Sequence, residues 1–583
     1  MPMQPKFNRM RNWLAVALGA CLVSGVYAAV ELNAPMTALL PALMPQGALL
    51  YVETPDLHAL LGEWNQSAEQ KAWLMGANYQ AFSRSRLFGR LSQAQDEFSN
   101  TAGLPADSSL LSTVSGRESA LAVYDIGNLE FVFVTRMDEA TLASSPLWQL
   151  RGKFEERKAG ETTFYTRKDE QSGRVASFGA AKGWLVIATR EDLTASVLGR
   201  VNGAEDRTLT EEPWYAALGH LATSQPELRM ALNLEKIVPS PYFRSYWIQR
   251  NITEMKQYSA AESDLYRESG LFREERLLIR KAAEETPGPQ PVTIGDLAQM
   301  RGTIPEDATF VQGQAAPTPE AVLAALRDDV LERKPEGWSS GNTTAPHAAG
   351  MDGNVGAGEM ETKIDDAPKV TVAPDSWLAI RQTLAAAAPT ALVEVFEDRP
   401  PVADGVFVRL DAGCAVMSSQ AWNLPAVEDA VVHSLGAGIT AGGLGTGWQQ
   451  RTGAGGSYQT LTGAVGLYLA VRDRILLVTT DPTLMESMLA GLKSGAVRPT
   501  GITYAARFRH SKDEQENYKR LFTRLDRVSR GAASSDSDEG QQPAFFSGNI
   551  GSLDRTFAAL TEEQVVERDQ GTRVTQTVTY RWK

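Results

Sequence analysis

"ILLVTTDPTLMESMLAGL", Ile475 to Leu492, reads as a buried strand, a helix start and an amphipathic helix. "WLVIATREDLTASVLGRV", Trp184 to Val201, reads the same way 291 positions earlier. In both, apolar residues recur at helical spacing, Leu193, Val197 and Val201 against Leu484, Met488 and Leu492. Just upstream, "GRVASFGAAKGWLVIAT" and "VGLYLAVRDRILLVTT" both read as β-hairpins, with turns at Ala180–Gly183 and Arg472–Asp473. Further up, "ALAVYDIGNLEFVFV" and "VFVRLDAGCAVM" share a strand, a D-x-G turn and a second strand, with Asp125 and Gly127 matching Asp411 and Gly413 at an offset of 286. At the start of each half, "MPQGALLYVETPDLHALL" resembles "IPEDATFVQGQAAPTPEAVLAAL", and Pro45 matches Pro305 at an offset of 260.

The offsets rise in order along the chain, which chance similarities do not usually do. Residues 335–368, rich in Gly, Ala and Thr and without periodicity, account for the largest jump as a disordered insertion in the second half. The expected architecture is therefore a tandem duplication of a large module. The competing reading is two unrelated domains that share common strand–helix grammar. Strands arriving in hairpins predict largely antiparallel sheets packed with helices, hence the α+β class. Thr54-Pro55, Thr318-Pro319 and Asp481-Pro482 each set a capping side chain before a proline that has no N–H to waste, and mark helix starts. The first module is expected over 31–285, a Pro/Gly linker over 286–291 after the helical-looking, basic "FREERLLIRKAAEE", and the second module over 292–583. A polar spacer falls at 531–543, and "TRVTQTVTYRW" at the end predicts a half-buried strand with Val574 and Val578 on one face.

The length of 583 residues, 43% apolar, allows two packed cores. A net charge of −13 argues against non-specific nucleic-acid binding, which needs clustered Lys and Arg. The two cysteines, Cys21 and Cys414, are not expected to form a disulfide. Residues 1–12 are basic and carry no acid, and 13–30, "WLAVALGACLVSGVYAAV", carry no charge. That pattern predicts a signal peptide, with cleavage after Ala28, or a single membrane anchor. "LGAC", Leu18 to Cys21, offers a lipoprotein box as a third option, but the residues after it stay apolar. Each option leaves 1–12 cytoplasmic and places the rest outside the cytoplasm by the positive-inside rule.

"LMPQGALLYVETPDLHALLGEW", "LLSTVSGRESALAVYDIGNLEFVFVTR" and "GWLVIATREDLTASVLG" together resemble a bacterial exported family of unknown activity, of the type frequent in acidobacterial genomes. The likeness covers much of residues 40–270 and, more weakly, the second half. It implies an extracytoplasmic protein and supplies no catalytic residues.

Chemical motifs are sparse. The histidines, His58, His220, His347, His433 and His510, show no metal-ligand spacing, so no metal or cofactor is expected. "GAGITA", Gly436 to Ala441, matches a dinucleotide fingerprint but follows a helical rather than a strand pattern, and reads as a flexible Gly-rich connection. "DSDEG", Asp536 to Gly540, lacks the later ligands of a calcium loop. "FREERLLIRK", Phe272 to Lys281, reads as a charged face. "PSPYFRSYWIQRN" packs Tyr242, Phe243, Tyr246 and Trp247 at helical spacing, either as core or as the lining of an apolar ligand groove. The function expected is a non-enzymatic binding or scaffolding protein of the envelope, with an envelope protein or an apolar small molecule as partner and the membrane reached through 13–30. The alternatives are a carrier of an apolar ligand in a sheet–helix groove and a hydrolase whose site is assembled from distant residues.

Overall fold

The computed structural model describes residues 39–67, parts of 70–84, 86–219, 225–241, 255–268, 270–281, 296–331, 377–399, 409–440, 447–461, 466–492, 501–509 and 560–582. The class is α+β, and every strand pairing given below is antiparallel. The chain divides into two compact units. Unit 1 takes residues up to Val292 together with Gly501–Asp526 and Asp538–Lys583, and unit 2 takes Thr293–Thr500 with Arg527–Ser537.

Unit 1 opens with β1 (Leu50–Asp56), α1 (Leu57–Gln66) and α2 (Arg86–Ala102). β2 (Arg117–Asp125), β3 (Glu130–Arg136), β4 (Glu155–Ala159), β5 (Thr162–Lys168), β6 (Val175–Ala181) and β7 (Trp184–Ala188) lead to α3 (Glu191–Val201). β8 (Leu228–Leu232), β9 (Tyr258–Glu268) and β10 (Leu271–Arg280) follow. Hydrogen bonding orders them β4-β5-β6-β7-β3-β2-β1-β8-β9-β10. β7, "WLVIA", is buried at every residue because both of its faces are covered, and such strands read as continuous apolar runs. Val186 and Ala188 pack with Leu193, Val197 and Leu198 of α3, while Leu185 and Ile187 pack with Phe154, Phe178 and Ala102. The β6–β7 turn has positive φ at Lys182 (+49°) and Gly183 (+81°), the backbone twist that suits a two-residue hairpin.

Unit 2 contains β11 (Phe310–Ala315), α4 (Pro319–Ala325), a π-helical turn (Leu326–Leu331) and α5 (Leu378–Ala387). It continues through β12 (Pro389–Arg399), β13 (Arg409–Ser418), α6 (Leu424–Thr440), β14 (Trp448–Gly453), β15 (Gly456–Leu461), β16 (Leu467–Arg472), β17 (Ile475–Thr479) and α7 (Pro482–Gly491). Its sheet runs β14-β15-β16-β17-β13-β12-β11. That is the order β4-β5-β6-β7-β3-β2-β1 over again. The register agrees too. Ile187 of β7 lies between Phe133 and Phe178, and Val478 of β17 lies between Cys414 and Leu469. At the C-terminus of α7, a Cβ on Gly491 would sit 1.7 Å from the Gly302 carbonyl oxygen, so only glycine permits this close packing.

The last strands form a further antiparallel row that ends on β10. β18 (Tyr504–Arg509) pairs with β19 (Leu560–Asp569), β19 with β20 (Arg573–Trp582), and β20 with β10, from Leu271↔Arg581 to Ile279↔Arg573. Val574 and Val578 of β20 are buried, as their alternation predicts.

Several expectations are corrected. Asp411 and Gly413 are not in a hairpin turn; both lie inside β13, where Asp411 is fully buried. The strand paired before them is "PTALVEVFEDR", β12. Thr54-Pro55 does not start a helix, because β1 runs on to Asp56, whose carboxylate caps α1 by accepting from the Ala59 N–H at 2.8 Å. "FREERLLIRK" is strand β10 rather than a helix, held on both sides by β9 and β20. Gly436 to Thr440 are helical, the last turns of α6, rather than a loose connection. The segments 286–291, 335–368 and 531–543 lie outside the described residues.

Candidate functional site

The densest collection of buried charge among the described residues lies on β1, β8 and β9. Register puts Glu53 opposite Arg229, Arg229 opposite Asp264, and Ala231 opposite Glu262. Directly paired residues share a face, and so do residues two apart on one strand. Tyr51, Glu53, Arg229, Glu262, Asp264 and Tyr266 therefore gather on one side of the sheet. Glu53, Arg229, Glu262 and Asp264 are 2%, 5%, 3% and 1% exposed, which makes pairing obligatory.

Arg229 supplies it. Its Nε and Nη2 donate to Asp264 Oδ1 and Oδ2 at 2.7 and 2.8 Å, a planar fork onto a carboxylate. Its Nη1 donates to Glu53 Oε1 at 3.4 Å, and Glu262 Oε2 lies 3.9 Å from Nε. The Tyr51 hydroxyl donates to Glu53 Oε2 at 2.5 Å, and the Tyr266 hydroxyl to Asp264 Oδ2 at 3.4 Å. Tyr215 stands edge-on to Tyr51 with ring centroids 5.8 Å apart. Burial, reinforced by the Glu53 charge, pushes the Tyr51 and Tyr215 phenols well above their ordinary range. Burial, with Asp264 beside it, pushes Tyr266 up to about 12. Burial alone would ease the proton off Arg229, but the bond to Asp264 and the charges of Asp264, Glu262 and Glu53 outweigh it and raise its pKa. The groups are turned toward one another, so the chemistry of the cluster is to lock three strands together.

A second titratable group lies on β19. Glu563 is opposite Phe508 of β18 on one side and Tyr580 of β20 on the other, with Phe272 of β10 next in the row. Burial among these rings pushes its carboxyl up to about 7, and the positive charge of Arg276 only partly offsets this. Arg276 is committed elsewhere, forking onto Glu274 at 2.7 and 2.6 Å. In unit 2, Gln312 and Glu394 face each other across β11 and β12, with Gln312 Nε2 donating to Glu394 Oε2 at 2.6 Å, both buried. Unit 2 also holds an apolar cavity of about 20 Å³ beneath α5, α6 and the π-helical turn, lined by residues that include Leu326, Ile380, Trp422 and Val478. That is room for about one water-sized molecule.

The residues singled out from sequence fare unevenly. Tyr242, Phe243, Tyr246 and Trp247 lie outside the described residues, as do His220, His347, His510 and Asp536 to Gly540. His58 on α1 and His433 on α6 are exposed. Among the described residues no group of His, Cys, Asp and Glu is placed to hold a metal ion. Among them, too, no helix is long and apolar enough to cross a membrane; residues 13–30 lie outside them. Arg229, Glu53, Glu262 and Asp264 were not singled out from sequence. Their signal was a charge at the inward position of an otherwise apolar strand, as in "LLYVET" and "LRMAL". No protein-family model, no curated protein and no solved structure matches the chain.

Proposed function

We propose that the chain is a duplicated envelope protein facing away from the cytoplasm, held at the membrane through residues 13–30 or released after them, and that it binds or scaffolds a partner. The observation that carries this is the repeated strand order, β1 to β7 and again β11 to β17. The two copies keep one frame and differ in chemistry. Gly313 stands in unit 2 where Glu53 stands in unit 1, so the second copy lacks the carboxylate that Arg229 and Tyr51 bond. A catalytic centre inherited by duplication would keep its charged residues in both copies at first. Here the charged cluster is self-satisfied and closed, which suits a frame that presents surfaces rather than one that turns over substrate. Tandem units also allow two contacts at once.

Two measurements test this. A fusion of residues 1–38 to alkaline phosphatase, an enzyme active only after export, should be active in a bacterial host; an inactive fusion overturns the location. Crosslinking in intact cells should then recover the full chain with a reproducible partner. Turnover of an envelope lipid or glycan by the purified chain, lost on substituting one of its own carboxylates, would replace binding with hydrolysis.

A further inference from the structure

The two equivalent edges of the repeated sheets are treated differently. Among the described residues, β4 is the outermost strand of unit 1 and β14 of unit 2, and each pairs on one side only, with β5 and β15 respectively. An edge strand leaves a row of N–H and C=O groups that only another strand can satisfy in order, so natural edges are usually blocked. β4 is blocked. Glu155, Glu156, Arg157 and Lys158 are consecutive and all exposed. β14 reads Trp448, Gln449, Gln450, Arg451, Thr452, Gly453, with 449–452 exposed. It holds one charge, no lysine, no proline and no bulge across six consecutive pairs with β15.

Symmetry sharpens the contrast. When a strand pairs antiparallel with its own copy, directly opposed residues share a face and the two-fold axis runs through one residue facing itself. Centred on any of residues 155 to 158, β4 would set a like charge against itself, Glu on Glu, Arg on Arg or Lys on Lys, which is destabilising. Centred on Gln450, β14 sets the Gln450 amide against its equivalent, Gln449 against Arg451 and Trp448 against Thr452, with no repulsion. A primary amide both donates and accepts, so the central pair is self-complementary.

We infer that β14 is the surface through which a second copy of this chain joins, the two strands pairing antiparallel about a two-fold axis at Gln450. The inference is independent of the location and partner proposed above. A six-residue edge buries less than the roughly 1,200 Å² of a standard stable interface, so the association is weak and concentration-dependent.

Differently tagged copies of the full chain, in mild detergent, test it by reciprocal capture. Wild-type copies capture each other. Gln450→Lys alone and Gln450→Glu alone, which reproduce the blocking at β4, reduce capture to background. Mixing the Lys form with the Glu form restores it, which a misfolded variant could not do. No capture of wild type by wild type at any concentration overturns the inference. Capture indifferent to both charges overturns it by placing the contact elsewhere. A stoichiometric complex of β14 with a different polypeptide, in place of self-capture, gives the edge to a foreign strand.

Discussion

Taking Arg229 away would leave Glu53, Glu262 and Asp264 facing one another inside the core. Breaking one partner out of a buried charge network costs more than the network contributes, because the survivors remain desolvated. Arg229→Met is therefore expected to destabilise unit 1 by about 3–5 kcal/mol in urea denaturation followed by tryptophan fluorescence. An unchanged midpoint would mean that solvent reaches these groups. Removing Glu53 and Asp264 as well, as apolar residues of similar size, should recover much of the loss. Glu563 gives a pH signature with a fixed sign. Its folded pKa, about 7, exceeds the ordinary 4.5, so between those values the folded chain holds the extra proton. Its contribution is complete below pH 4.5 and is lost as the pH rises toward 7. Gln in its place should flatten that part of the stability profile; a slope unaltered by Glu563→Gln would assign the proton to another group.

α3 and α7 begin at equivalent places and are started differently. At α7, Asp481 Oδ1 accepts from the Thr483 and Leu484 N–H groups at 2.8 and 3.1 Å, ahead of Pro482. At α3 the cap position holds Arg190, which makes no side-chain cap. Asp481→Ala should cost about 1 kcal/mol in thermal or urea unfolding, while Arg190→Ala should leave the start of α3 unaffected. A loss under about 0.3 kcal/mol for Asp481→Ala would show that proline and tertiary packing hold α7 without the carboxylate. The Asp481-Pro482 and Thr318-Pro319 starts were legible because cap and proline act locally, within one turn. Thr54-Pro55 was misread because proline is also tolerated near a strand end, and Asp56, two residues after Thr54, could cap as well. The hairpin β6–β7 and its counterpart β16–β17 were legible from alternation and turn residues. β12 was missed because "ALVEVF" has no turn residue to set its register, and a D-x-G string beyond it looked like the missing turn. The Arg229 cluster was illegible for a different reason. Its members lie on three strands far apart in sequence, and nothing local says that β8 will lie between β1 and β9.

At the largest scale, one pairing reaches far along the sequence. β20 pairs along nine consecutive positions of β10 across unit 2's whole length of sequence. A chain ending at Thr500 would leave β10 as an open edge with unpaired ladder groups, and aggregation is the expected outcome. Supplying residues 501–583 as a separate fragment should restore solubility, measured by size-exclusion chromatography. A soluble, monomeric truncation at Thr500 would show that β10 is covered without β20. The same feature sets a schedule. A protein made and moved in one direction, N-terminus first, releases β10 hundreds of residues before β20 exists. The outer side of β10 thus stays open until β20 is made, so a helper protein would have to guard that edge in the interval.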